Sequence, residues 1–101
     1  MNARVPVGFA FSARDDLLGI REYYASKDVP QVGERSVASV IEHVEQLERF
    51  PDSGKMVPEF EVPWLRELEL PPFRIVYRRD ENAVTIVRVL RSERLMDPDL
   101  G

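Results

Sequence analysis

FRIVYRRDENAVTIVRVL, residues 73–90, holds two runs of one texture around a polar turn. Phe73-Arg74-Ile75-Val76-Tyr77-Arg78 is rich in aromatic and β-branched side chains, which fit a pleated, half-buried surface. Asp80-Glu81-Asn82 reads as a turn. Residues 83–90 then form the next strand, with Val84, Ile86 and Arg88 on one face by the two-residue period. Immediately upstream, Pro71-Pro72 interrupts a third run in which Trp64, Arg66, Leu68 and Leu70 alternate with Leu65, Glu67 and Glu69. Short turns between such runs join antiparallel neighbours, so the three predict a meander.

Further outward the period changes. Residues 55–63 read as a polar, Pro-containing connector, and Phe50-Pro51-Asp52-Ser53-Gly54 as a helix stop. Residues 30–49 form a helix with Val37, Val40, Ile41, Val44 and Leu47 on one stripe. Asp28-Val29-Pro30 separates it from an earlier helix, since proline is tolerated in a first turn but not in an interior. That earlier helix is expected to open at Ser12, where Ser12-Ala13-Arg14-Asp15 has the form of a capping box and Asp15 and Asp16 suit the positive end of the dipole. Ala13, Leu17, Ile20 and Tyr24 make its apolar face, and Gly19 is expected at a close packing contact. Residues 5–11 suit a short first strand. The order β-α-α-β-β-β describes an α+β fold, a helical hairpin packed on an antiparallel sheet, with residues 1–101 forming one domain.

Composition bounds the chemistry. A chain of 101 residues, 44% hydrophobic and 32% charged, can bury a core and has room for one compact domain and no second. No run approaches the roughly 20 apolar residues of a membrane span. Residues 1–11 carry one Arg and no long apolar run, so no signal peptide is expected. The absence of cysteine removes disulfides, thiolate metal sites and thiol nucleophiles, and fits a reducing cytoplasm. His43 is the single histidine, too few for a metal site of ordinary ligand number, and none of the serines has an evident base. Glycine-rich phosphate loops are absent, so neither metal nor cofactor is expected. Trp64 and Tyr77 read as core aromatics.

The net charge of −4 is uneven. Residues 1–63 hold seven basic and eleven acidic side chains, whereas residues 64–94 hold seven arginines, no lysine and five acids. Arginine on neighbouring strands can converge on one sheet face, because residues two apart share a face and strands lie about 4.8 Å apart. The set Arg66, Arg74, Arg78, Arg79, Arg88, Arg91 and Arg94 could therefore hold RNA phosphates or the acidic side chains of a protein partner.

From about residue 7 to residue 97, the order of these segments resembles the RelE/ParE superfamily of toxins from bacterial toxin–antitoxin modules. The matching words are Phe11-Ser12-Ala13-Arg14-Asp15-Asp16-Leu17-Leu18-Gly19-Ile20-Arg21-Glu22-Tyr23-Tyr24, Leu47-Glu48-Arg49-Phe50-Pro51-Asp52-Ser53-Gly54, Leu65-Arg66-Glu67-Leu68, Phe73-Arg74-Ile75-Val76-Tyr77 and Val84-Thr85-Ile86-Val87-Arg88-Val89-Leu90-Arg91-Ser92-Glu93-Arg94. The ribonuclease branch of that family cuts messenger RNA on the ribosome. In that branch, the resemblance implies, Arg74 would stabilise phosphate charge, with Glu67, Arg91 and Arg94 as further catalytic candidates. Its lysines are missing from Leu65-Arg66-Glu67-Leu68, and Arg91-Ser92-Glu93-Arg94-Leu95-Met96-Asp97-Pro98 supplies neither His nor Tyr.

The ParE-like branch inhibits DNA gyrase, and the ending Val89-Leu90-Arg91-Ser92-Glu93-Arg94-Leu95-Met96-Asp97 is close to it, with Arg91 where that branch often has His. The resemblance therefore implies a cytoplasmic toxin of a type II module, of the kind that stabilises plasmids. It would inhibit gyrase through Arg66, Arg74, Arg91 and Arg94. A cognate antitoxin would neutralise it, binding at Leu17, Ile20 and Tyr24, with assembly as a heterotetramer and no DNA binding by the toxin alone. The alternatives are a ribosome-dependent endoribonuclease and a family member that binds antitoxin without being toxic.

Overall fold

The computed structural model describes residues 4–93. Elements run β1 (Val7–Phe9), α1 (Phe11–Ser26), α2 (Pro30–Val44) with a 3-10 turn at Glu45–Glu48, β2 (Lys55–Met56), β3 (Leu65–Leu70), β4 (Phe73–Asp80) and β5 (Ala83–Arg91). The α+β fold is that expected, with one more strand. The five strands lie in the order β1-β5-β4-β3-β2, antiparallel except for β1, which runs parallel to β5. Both edges are short, β1 with three residues and β2 with two, which limits the backbone left open to other chains.

The helical hairpin covers one face of the sheet. Val40, Val44 and Leu47 meet Leu68, Ile75, Tyr77, Val84 and Ile86 there, with Leu17, Ile20 and Tyr24 partly buried against them. Where the helices cross, Gly33 sits so close that an added Cβ would stand 3.1 Å from Arg21 Cα. The opposite face has its own small core, in which Val57, Leu65, Val76 and Leu90 gather under Phe60 and Val62. The segment expected as a polar connector thus contributes a strand and three apolar side chains. Its Glu59-Phe60-Glu61-Val62 alternation was the signal for this.

Local expectations fail where tertiary contacts compete. The first strand stops at Phe9, and α1 begins at Phe11 with Ala10 as its cap residue and no side-chain cap bond. Ser12 is spent elsewhere: its Oγ donates to the Val87 carbonyl at 2.7 Å. Asp16 likewise reaches β5, where Oδ2 accepts the Val89 backbone N–H and Arg88 Nε, each at 2.8 Å. The cause is a β-bulge. Val76 pairs with Arg88 but Tyr77 with Ile86, so Val87 is an extra residue and the alternation of β5 shifts. Val84, Ile86 and Val89 face the helices, and Arg88 does not continue the row as the two-residue period predicts. The second helix ends at Val44 and tightens into a 3-10 turn that keeps Leu47 buried, while Ile41, expected on the apolar stripe, is exposed. Gly19 meets nothing within 4 Å, so it is no packing contact.

Tyr77 is fully buried and pins the turn after α2 from within. Its hydroxyl donates to the Pro51 carbonyl and accepts the Gly54 N–H, both at 2.9 Å. Gly54 is required there, because an added Cβ would lie 2.6 Å from the Glu67 carbonyl and 2.7 Å from the tyrosine ring.

Candidate functional site

Arg74 lies on the sheet face away from the helices, and its neighbours there are acidic. Two-residue alternation on β3 brings Glu67 and Glu69 to that face, and the 57–64 loop lowers Glu59 onto it. Arg74 Nη1 and Nη2 donate to the two oxygens of Glu59, each at 2.9 Å. Nη2 also donates to Glu67 Oε1 at 2.7 Å, and Nε to Oε2 at 3.4 Å. Arg74 is 7% exposed and Glu67 4%. Hydrogen bonds from Glu59 and then Glu67 hold the guanidinium well above its ordinary value. Beside them, Lys55 Nζ lies 2.8 Å from Glu69 Oε1, raising the lysine and lowering the carboxyl. Lys55, Glu59, Glu67, Glu69, Arg74 and Ser92 line a cavity of about 540 Å³. Three carboxylates face two cations in it, and the guanidinium fork already grips two of the three. Such a site repels a phosphate rather than cradling one.

Arg78 and Arg88 share this face by register but pair with Asp80 and Asp16, and the other described arginines lie elsewhere. Arg66 stands opposite Tyr77 and therefore on the helix-side face, where Nη1 donates to the Gly54 carbonyl at 2.9 Å. Arg79 lies on that same face, with Nε 3.1 Å from Asp52 Oδ1. Arg91 stands opposite Phe73 and pairs with Glu93 at 2.8 Å; along β4 and across two strands it is roughly 16 Å from Arg66. Arg94 lies outside the described residues. The expected convergence on one face thus gives way to three separate places, because Arg66 and Arg74 differ in strand parity and Arg91 sits at the far end.

Ile20 and Tyr24 pack on the core and also line a groove of about 360 Å³ between α1 and the strands, with Tyr23, Phe73, Leu90 and Arg91. Gly19 borders this groove and adds no side chain to it. Leu17 belongs to the core side alone. Phe11, Leu18 and Ile41 are the exposed apolar residues of the two helices besides Tyr23. Among the described residues no group of three His, Cys, Asp or Glu side chains is placed to hold a metal ion, and His43 is hydrogen-bonded by Gln46 of the following 3-10 turn. No helix among the described residues is long and apolar enough to cross a membrane. Three residues that matter here were missed in the sequence: Glu59, read as connector; Asp52, read as turn; and Trp64, read as core but 53% exposed.

Residues 7–96 match the family described as the ParE toxin of the type II toxin–antitoxin system parDE. The chain belongs to the ParE toxin family. Among solved structures it is similar to a chain of the chromosomal ParDE toxin–antitoxin system of P. aeruginosa. The two are 27% identical with a TM-score of 0.75, over 89% of this chain and 98% of that one. A chain of the RelBE2 toxin–antitoxin complex of Mycobacterium tuberculosis shares the fold, with 23% identity, a TM-score of 0.67, and coverage of 91% and 95%. No curated protein matches the chain. This ParE-family member is therefore a type II toxin, and its Arg74 is closed between Glu59 and Glu67.

Proposed function

We propose that this ParE-family toxin acts by protein contact on DNA gyrase in the cytoplasm and is held inactive by a cognate antitoxin. The observation that carries this reading is the state of Arg74. A ribonuclease needs that side chain to receive a scissile phosphate. Here it is buried and bound to Glu59 and Glu67, and Glu67 is itself occupied as a base. The hydroxyl of Tyr77 lies on the opposite face of the sheet and is spent on the Pro51–Gly54 turn. What the chain offers instead is surface: the groove beside Ile20 and Tyr24, and the exposed Phe11, Leu18 and Ile41, suit an antitoxin segment that orders on binding.

The test is a supercoiling assay with purified gyrase and toxin, run beside primer extension on translated messenger RNA. Dose-dependent loss of supercoiling, reversed by antitoxin and with intact RNA, is the expected result. Normal supercoiling at large toxin excess defeats the reading, and codon-phased cuts would replace it with ribonuclease activity. Unimpeded growth on induction without antitoxin would mark a member that is not toxic.

A further inference from the structure

At the β2–β3 end of the helix-side face, cross-strand register assembles a second surface. Arg79 N–H donates to the Trp64 carbonyl at 2.7 Å, which places Trp64 opposite Arg79. Arg66 stands opposite both Tyr77 and Met56. Directly opposite residues share a face, so Trp64, Met56, Arg66 and Arg79 lie on one side of the sheet. Tyr77 forms the buried floor. Trp64 is 53% exposed and Met56 45%, and Phe50 is exposed on the turn that carries Asp52.

The charges there do not balance. Arg66 Nε and Arg79 Nε both aim at one oxygen, Asp52 Oδ1, at 4.0 and 3.1 Å. Only the second distance is a hydrogen bond, and Arg66 Nε is buried without a hydrogen-bond partner among the described residues. Two guanidinium groups thus share a single, largely exposed carboxylate. Arg66 is positioned by the Gly54 carbonyl, and Arg79 by the carbonyls of Asp80 and Glu81, so both forks are held in place before any partner arrives. Pre-set arginines beside an exposed tryptophan are the side chains that dominate protein interfaces.

We propose that this surface binds an acidic side chain of the cognate antitoxin, its carboxylate entering between Arg66 and Arg79 while a neighbouring apolar residue covers Trp64. The proposal rests on the antitoxin reading above and adds to it a second anchor, away from the helical groove. An isolated carboxylate fits better than a polyanion, because Asp52 already borders the patch and the whole chain carries −4.

The experiment measures antitoxin affinity for the wild-type toxin, Arg79→Glu, Arg79→Lys and Trp64→Ala. Trp64 is the single tryptophan, so toxin labelled with 5-fluorotryptophan gives one resonance that reports this patch alone. We expect the resonance to shift on adding antitoxin. Arg79→Glu and Trp64→Ala should each weaken binding about 30-fold, with Arg79→Lys intermediate. An Asp or Glu to Lys exchange in the antitoxin should restore binding to Arg79→Glu. If Arg79→Glu does not fold, Trp64→Ala, whose side chain is half exposed, decides. Unchanged affinity with an unmoved resonance overturns the surface and leaves the antitoxin reading intact. Loss of toxicity with full antitoxin affinity also overturns it, by assigning the patch to the target. A wild-type toxin that fails to bind antitoxin overturns both.

Discussion

Arg74 shows how little a residue's identity says about its use. In the sequence its strand word implied a phosphate-binding role by resemblance; in the fold it is a structural cation between Glu59 and Glu67. Removing it would leave two carboxylates facing each other in a poorly solvated place, a loss of roughly 3–5 kcal/mol for buried pairs of this kind. Arg74→Ala is therefore expected to lose toxicity together with its folded state, which parallel thermal melts and growth assays would show; a stable but inactive variant would restore a catalytic role. Tyr77 gives a second prediction at this scale. Burial pushes its hydroxyl above the ordinary 10.0, and Lys55 is raised from its ordinary 10.5 by Glu69. For a group whose folded value is raised, the stabilisation is complete below the unfolded value and lost as pH rises through the folded one. Urea unfolding should thus show stability falling above about pH 10, with a shallower fall in Tyr77→Phe. That variant starts lower by about 1–3 kcal/mol, since it abandons the Pro51 carbonyl and the Gly54 N–H. An equally steep alkaline fall in Tyr77→Phe would refute the assignment.

Among the elements, α1 and β5 are joined by polar bonds that replace the expected cap. Ser12 and Asp16 are one helical turn apart, so both reach the bulged stretch of β5, where the extra residue frees backbone groups from the ladder. Asp16→Ala deletes the carboxylate that accepts both Arg88 and the Val89 N–H. It is expected to lower stability by roughly 1.5–3 kcal/mol, read as a shift in denaturant midpoint. An exposed first-turn carboxylate acting only on the helix dipole would cost less than about 1 kcal/mol, so the size of the loss separates the two roles. The meander and the hairpin were legible from periodicity alone, because β-branched alternation and three-four spacing each describe one face of one element. The bulge was not. A single inserted residue leaves composition and texture unchanged, and only pairing with β4 reveals which residue is extra.

Across the whole molecule, the uneven charge resolves into complementarity within one chain. Asp16, Asp52 and Glu59 from the acidic first part meet Arg88, Arg79 and Arg74 from the arginine-rich second part. The exposed pairs Arg21–Glu34, Lys55–Glu69, Arg78–Asp80 and Arg91–Glu93 are solvated and contribute little. Raising the salt from low to about 0.5 M should therefore reduce folding stability by less than about 1 kcal/mol, because the less exposed Arg74 and Arg88 pairs are screened far less. A larger loss in salt-dependent urea titrations would show that the surface network matters more. By itself the sequence determined the order of the helices and the longer strands, most of the two apolar helix faces and the ParE-like framework, since each follows from local periodicity and from short words in a set order. Tertiary structure alone decided that Arg74 is closed, that Arg66 and Arg79 share Asp52 beside an exposed Trp64, and that Asp16 serves β5. Those outcomes depend on strand parity, on one bulge and on loops folding back across the sheet, and these place together residues far apart in the chain.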